Sequence, residues 1–399
     1  MTKTKARNGN GSIRKRGDAL QLRYRIDGKR FGVAFKGTEA EAEVELRRLL
    51  GTGDNGTHIE PNKLTVGQWI DEWLEAGAPG QSRKKGKWVS QRTLERYSQL
   101  LRTHIEPVLG NRPLQKLKAP EIDKLYRDLK EKAEIAPRTQ HHVHIVLSAL
   151  LAAARRKKLI AANPMIEVET VPNVEKLILD DTVEEFDDDT VEETDDYGDG
   201  LSESELAALI AGFKTSPLYP LVVLGAVTGA RRNELLALRW RDLNTETEQK
   251  TIRIERALEQ TTKFGIRVKV TKTKRGKRTV PLDDATVALL LKERERHQRI
   301  QAGLPDGAEV DLRLIRLPKG ALMFPAPPAR GQDISLVKPR DPHGFSHRFR
   351  KHCQKIAGLE STKFHVLRGV RSTALLDAGI PVNRVAELIG DDPVTILRV

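Results

Sequence analysis

Two arginine-bearing segments of this 399-residue chain carry groups that could hold a phosphodiester and move protons around it. The first is Thr228-Gly229-Ala230-Arg231-Arg232-Asn233-Glu234-Leu235 and the second is His365-Val366-Leu367-Arg368. Between them lies a basic element, Lys272-Thr273-Lys274-Arg275-Gly276-Lys277-Arg278-Thr279-Val280-Pro281-Leu282. Arg231 and Glu234 are spaced i, i+3, which predicts one face of a helix starting just past Gly229. Such a carboxylate can hold the arginine fork and leave N–H groups for phosphate oxygens. His365 and Arg368 repeat the spacing, so an imidazole and a guanidinium are expected to project together. Two forks from different helices can neutralise a pentavalent phosphate transition state. A lysine on a hairpin tip can protonate a leaving oxygen. Each element has a bland counterpart: a surface salt bridge, a solvated Lys-Arg run, a chance His-x-x-Arg. Their order along the chain is what gives them weight.

The bulk of the chain agrees with a polyanionic partner. Its formal charge is +14 and its pI near 9.7. The segment from Asp180 to Asp199 carries twelve carboxylates and no Lys, Arg or His, so the rest of the chain stands at +26. A strongly basic chain attracts nucleic acid through counterion release. One cysteine, Cys353, excludes an internal disulfide framework and a Cys-based zinc site, and fits a reducing compartment. No apolar run has the length of a membrane span, and no signal-peptide core follows Met1, so no membrane partner is expected.

The elements that must position these residues can be read from periodicity. Leu20 to Ile26 alternates, Asp27-Gly28 is a hairpin turn, and Lys29 to Phe35 is the returning strand. Thr38 is a plausible cap of a helix that runs to about Leu50. The non-core face of this sheet is expected to offer Arg23, Arg25, Lys29 and Arg30, either to a DNA groove or to solvent. Residues 64–165 read as helical, with Thr65 capping a helix through Trp69, Ile70 and Trp73. Ser90, Ala119-Pro120 and Pro137 open further helices, and Asn163-Pro164 closes the last. His141, His142 and His144 do not share one face, so they are expected to be exposed or DNA-facing and not a metal site. Residues 175–200 lack an apolar period and read as an acidic linker, with competition for a basic groove as the other reading. From Ser202 on, strands at Thr251–Ile254, Arg267–Val270 and Lys277–Leu282 lie among helices, three of them terminal, which gives an α+β domain.

Taken together, these segments resemble the tyrosine recombinases, specifically phage-type integrases. Thr228 to Trp240 is similar to that family's first arginine box, and Lys272 to Leu282 to its β-hairpin lysine segment. His365 to Arg368, followed by Leu375-Leu376-Asp377-Ala378-Gly379-Ile380, is similar to its second box. Leu64 to Pro164 resembles its helical core-binding domain, and residues 11–50 its three-stranded arm-binding domain. The fold implied is multidomain and mainly α with small β. It comprises a three-stranded sheet plus helix over 1–56, a helical SAM-like core-binding domain over 62–168, an acidic linker or insertion over 175–200, and an α+β catalytic domain over 201–399.

The function implied is site-specific DNA recombination through a 3′-phosphotyrosyl intermediate, with no metal and no cofactor. Arg231 and Arg368 would clamp the scissile phosphate, Glu234 would support Arg231, and His365 would act in proton transfer. Lys272 would be the general acid, with Lys274 as the competing choice. Arg23, Arg25, Lys29, Arg30, Arg83, Lys84, Lys85, Lys87, Arg138, Arg155 and Arg156 are the expected DNA contacts. The partners implied are core-type and arm-type duplex DNA, a homotetramer on that DNA, a host DNA-bending protein and an excision factor. The location implied is the cytoplasm of a bacterial host, at the nucleoid.

The chain departs from the family pattern at Gly369 and at Asp391, which stands where the family has His or Trp. The family's nucleophilic tyrosine would fall directly after Val399, and no tyrosine follows Tyr219. The 399-residue chain is therefore expected not to cleave DNA by itself. The alternative is a catalytically inactive integrase that acts only as a sequence-specific DNA-binding protein.

Overall fold

The computed structural model describes residues 11–17, 19–54, 59–80, 89–131, 135–171, 200–270, 276–305 and 309–397. The chain divides into two compact units, Met1–Val183 and Glu184–Val399.

In the first unit, β1 (Gly11–Arg16), β2 (Ala19–Ile26) and β3 (Lys29–Phe35) form an antiparallel sheet in sequence order. Both turn residues between β2 and β3 have positive φ, 48° at Asp27 and 79° at Gly28. That is the type I′ geometry that matches the twist of a two-residue hairpin. Alternation buries Leu22, Tyr24 and Ile26 against α1 (Glu39–Asp54). Thr38 caps that helix reciprocally: the Glu41 amide donates to the Thr38 hydroxyl, and the Thr38 amide to the Glu41 carboxylate.

The helical part of this unit follows its caps. Thr65 and Gln68 form a capping box at the start of α2 (Val66–Glu75), which buries Trp69, Ile70 and Trp73. The Trp69 indole N–H donates to the Leu150 carbonyl at 3.1 Å, and Trp73 stacks on Tyr97. Ser90 caps α3 (Gln91–Leu100), which continues through a π-helical turn at Leu101–Ile105 into α4 (Glu106–Leu109). α5 (Ala119–Glu131) and α6 (Pro137–Arg156) complete the unit, and Asn163 caps a short 3-10 turn beyond them.

The second unit opens with a capping box between Ser202 and Glu205 at α7 (Glu203–Gly212). α8 (Tyr219–Thr228) follows, then α9 (Arg232–Leu235), a single turn. β4 (Leu243–Asn244), β5 (Thr251–Ile254) and β8 (Arg278–Pro281) make one antiparallel sheet. β6 (Arg256–Thr261) and β7 (Gly265–Val270) make a separate hairpin. The strand at β6 was not expected from the sequence. α10 (Asp284–Ala302), α11 (Pro342–Cys353), α12 (Val366–Asp377), α13 (Val382–Ile389) and the short α14 (Pro393–Ile396) follow. The core is built on Phe213, Phe345, Phe349 and Phe364, with Leu235 and Leu367 beside them. Cys353 is buried here, and burial pushes its thiol up to about 12.

Among the described residues, no helix is long and apolar enough to cross a membrane, and no cluster of His, Cys, Asp and Glu could hold a metal ion.

Candidate active site and nucleic-acid surfaces

α8 ends at Gly229, whose left-handed φ of 59° turns the chain toward Arg231. A Cβ there would be strained at that φ and would stand 2.6 Å from Ile389 Cδ1, so the Ile389 side chain would have to shift. The expected helix past Gly229 is shorter than the i, i+3 spacing suggested. Arg231 is its extended N-cap and not a helical residue. Glu234 meets Arg231 through its backbone as well as its guanidinium. The Glu234 carboxylate accepts the Arg231 backbone N–H at 3.0 Å and lies 3.5 Å from the Arg231 guanidinium. Its closest guanidinium partner is Arg278 of β8, which donates from Nη2 at 2.7 Å and Nη1 at 3.2 Å. Burial alone would raise the Glu234 pKa, but Arg278 and then Arg231 outweigh it and hold it down to about 2.

Arg231 and Arg368 then meet on one carboxylate. Arg231 donates to Asp391 Oδ1 at 3.3 Å and to the Gly390 carbonyl at 3.2 Å. Arg368 donates from Nη2 and Nε to Asp391 Oδ2, at 2.7 and 3.2 Å. Its Nη1 donates to the carbonyls of Gly229 at 2.8 Å and Ile389 at 2.9 Å. Backbone carbonyls thus fix one edge of the Arg368 fork, and its Nε–Nη2 edge faces Asp391. Arg368 is buried, and that burial lowers its pKa. Burial opposes ionisation of Asp391 as well, but Arg368 and Arg231 prevail and keep it below the ordinary aspartate value. His365 is the N-cap of α12 and half-buried. Burial, then Arg368 and Arg231, push its pKa down to about 4, which makes it a neutral imidazole near pH 7. A neutral imidazole can accept a proton.

Lys272 and Lys274 lie outside the described residues, as do Arg83, Lys84, Lys85 and Lys87. The strands on either side of the lysine segment do not pair with each other. Among the described residues, β7 pairs with β6, and β8 with β5.

In the first unit the strand register decides which cations share a face. Arg25 stands opposite Arg30, Arg23 opposite Gly32 and Ser12, and Arg14 opposite Gln21. Arg14, Arg16, Arg23, Arg25 and Arg30 therefore lie on the exposed face. Arg14 and Arg16 were missed in the sequence, although Gly11–Arg16 shows the same alternation. Lys29 is corrected: it stands opposite Ile26, on the face of Leu22 and Tyr24, and is bonded to Glu60 at 2.6 Å. Arg155 and Arg156 end α6 exposed, and Arg138 is half-buried in its first turn. The three histidines of α6 are half-buried and not exposed. His144 bonds to the Tyr126 hydroxyl, and burial followed by Arg138 takes His142 down to about 4.

Residues 201–396 match the phage integrase family, and residues 67–170 match the phage integrase central domain. The chain belongs to the phage integrase family. An integrase of Mycobacterium phage D29 is 24% identical over 395 residues, covering 96% of this chain and 90% of that protein. A XerC-like tyrosine recombinase of Caldanaerobacter subterraneus subsp. tengcongensis is 24% identical over 383 residues, covering 93% and 87%. Among solved structures, the Tn1549 transposon integrase bound to circular intermediate DNA shares the fold with a TM-score of 0.57 at 18% identity, covering 84% of this chain and 94% of that one. A lambda integrase dimer on a core site does so with a TM-score of 0.53 at 17% identity, covering 99% and 95%. This integrase thus has the mainly helical tyrosine-recombinase architecture with small sheets that the arginine boxes implied.

Proposed function

We propose that this integrase breaks and rejoins duplex DNA at specific sites, with Arg231 and Arg368 holding the reacting phosphate. The observation that carries this reading is the convergence of the two guanidinium forks, one at the N-cap of α9 and one in α12, on a single pair of oxygens. Forks aimed at one small oxyanion suit a phosphodiester whose charge rises as a fifth oxygen arrives. A tyrosine oxygen attacks phosphorus, the bond to the 5′-oxygen breaks, and a 3′-phosphotyrosyl link and a 5′-hydroxyl result. His365, neutral at pH 7, takes the phenolic proton. A lysine of the 272–274 segment gives a proton to the 5′-oxygen. Glu234, neutralised by Arg278, fixes the backbone from which Arg231 projects.

The arginine face of the N-terminal sheet suits an arm-type site over residues 1–56, and the helices of 62–168 a core-type site. Assembly as a homotetramer on paired sites, in the cytoplasm of a bacterial host, belongs to the same reading, as do a host DNA-bending protein and an excision factor. The test is trapping of a covalent adduct on a nicked suicide duplex, using a chain that carries a tyrosine in the position after Val399. Adduct that disappears with Arg231→Ala and with Arg368→Ala supports the assignment. Undiminished adduct in both variants rules it out.

A further inference from the structure

The feature this mechanism leaves unused is Asp391 itself. It follows Gly390, the left-handed C-cap of α13, with φ 77°. The stretch from Ile389 to Asp391 brackets both arginines: the carbonyls of Ile389 and Gly390 and the carboxylate of Asp391 all accept from them. The backbone of Asp391 is tied down by its N–H, which donates to the Ala386 carbonyl at 2.9 Å. Its side chain is about one-seventh exposed, at 14%. The Asp392 N–H also donates to its Oδ1, at 3.2 Å, so a turn of the carboxylate toward solvent breaks that bond and those from the arginines and leaves the backbone bond to Ala386 in place. The Nη1 of Arg368 is already spent on two carbonyls. A bidentate oxyanion can engage Arg368 only on the Nε–Nη2 edge, where Asp391 now sits.

We propose that Asp391 is an internal counter-anion that occupies the phosphate seat between Arg231 and Arg368 and sets its affinity. It competes with the reacting phosphodiester, which enters only when the remaining DNA contacts hold the duplex in place and the carboxylate turns out. The residue thus raises the selectivity of the seat for phosphate presented on bound DNA over free oxyanions. The proposal rests on the reading that the arginine pair binds phosphate.

The probe is inorganic phosphate, added to the full chain at constant ionic strength and read as a shift in melting temperature, since a ligand that binds only the folded state raises it. The wild-type protein is expected to show a shift indistinguishable from that in chloride. Asp391→Asn keeps the shape of the side chain and removes its charge, and it is expected to gain a rise on the order of 3 °C. Asp391→Ser serves as the second variant, with circular dichroism to establish that each is folded. The gain must vanish in Asp391→Asn combined with Arg368→Ala. A phosphate response already present in the wild type overturns the proposal, as does no gain in the folded variants, or a gain that survives the loss of Arg368. If Arg231→Ala and Arg368→Ala abolish the covalent adduct while Asp391→Asn gains nothing, the arginine clamp stands and the competition fails. An adduct indifferent to the arginines defeats the clamp itself.

Discussion

The arginines of the N-terminal sheet and those of the catalytic unit are the same side chain put to opposite uses. On the sheet, Arg14, Arg16, Arg23, Arg25 and Arg30 lie exposed on one face, and Arg25 stands directly opposite Arg30. Like charges across a strand pair cost stability unless an anion lies between them. In the catalytic unit, Arg278 and Arg368 are buried, and each is matched to a carboxylate, Glu234 or Asp391. The first set adds charge that many phosphates can share. The second is held in one geometry before any ligand arrives, which is what stabilising a transition state demands.

The largest effect that could break this contrast is catalytic. In the tyrosine-bearing chain, Arg231→Ala or Arg368→Ala is expected to lower cleavage by a factor on the order of 100–1,000, while duplex affinity changes by less than about tenfold, since each is one phosphate contact among many. Single-turnover cleavage and a binding isotherm measured together check this. Equal losses would make the two sets of arginines one class. The next effect concerns stability. Glu234→Gln leaves Arg278 buried without its counter-charge and is expected to cost about 3–5 kcal/mol in urea unfolding of the catalytic unit. Arg25→Ala on the sheet is expected to cost almost none.

Salt sharpens the contrast from the other side. Each of Arg23, Arg25 and Arg30 changed to Ala is expected to reduce the slope of log K against log salt by about 1 on arm-type DNA. The slope on core-type DNA should not move. A further effect is in pH. His142 and His365 both have folded pKa values near 4, below the unfolded value of about 6.5. The folded state therefore binds fewer protons, and stability is expected to fall as pH drops from about 6.5 toward 4 and to level off below. His142→Gln and His365→Gln should flatten that fall in denaturant titrations, each in its own unit.

Local chemistry was legible in the sequence, and distant pairing was not. Thr38, Thr65, Ser90 and Ser202 cap helices because a hydroxyl three residues before an amide needs only local geometry. The two arginine boxes were legible as a phosphate site because their residue types and order are specific. Lys29 was misplaced although the signal was local: neighbouring strand residues face opposite ways, so Lys29 and Arg30 cannot share a face, and Phe31, Val33 and Phe35 mark the side of Lys29 as the inner one. Arg278 was missed as a supporting residue although the signal was present. It alternates with Val280, which is buried, so the strand period turns a guanidinium inward, where it needs a partner. Which partner it takes, and that Asp391 accepts from both arginines, depends on contacts between residues far apart in the chain.

The single cysteine has a practical consequence of its own. Cys353 sits at the end of α11, packed in the aromatic core of the catalytic unit, with its thiol held protonated by burial. Only the thiolate reacts with an alkylating reagent, so modification of the native chain has to wait for that core to open. The alkylation rate is then a clock for breathing of the catalytic unit alone, with no second sulfhydryl in the chain to blur its reading.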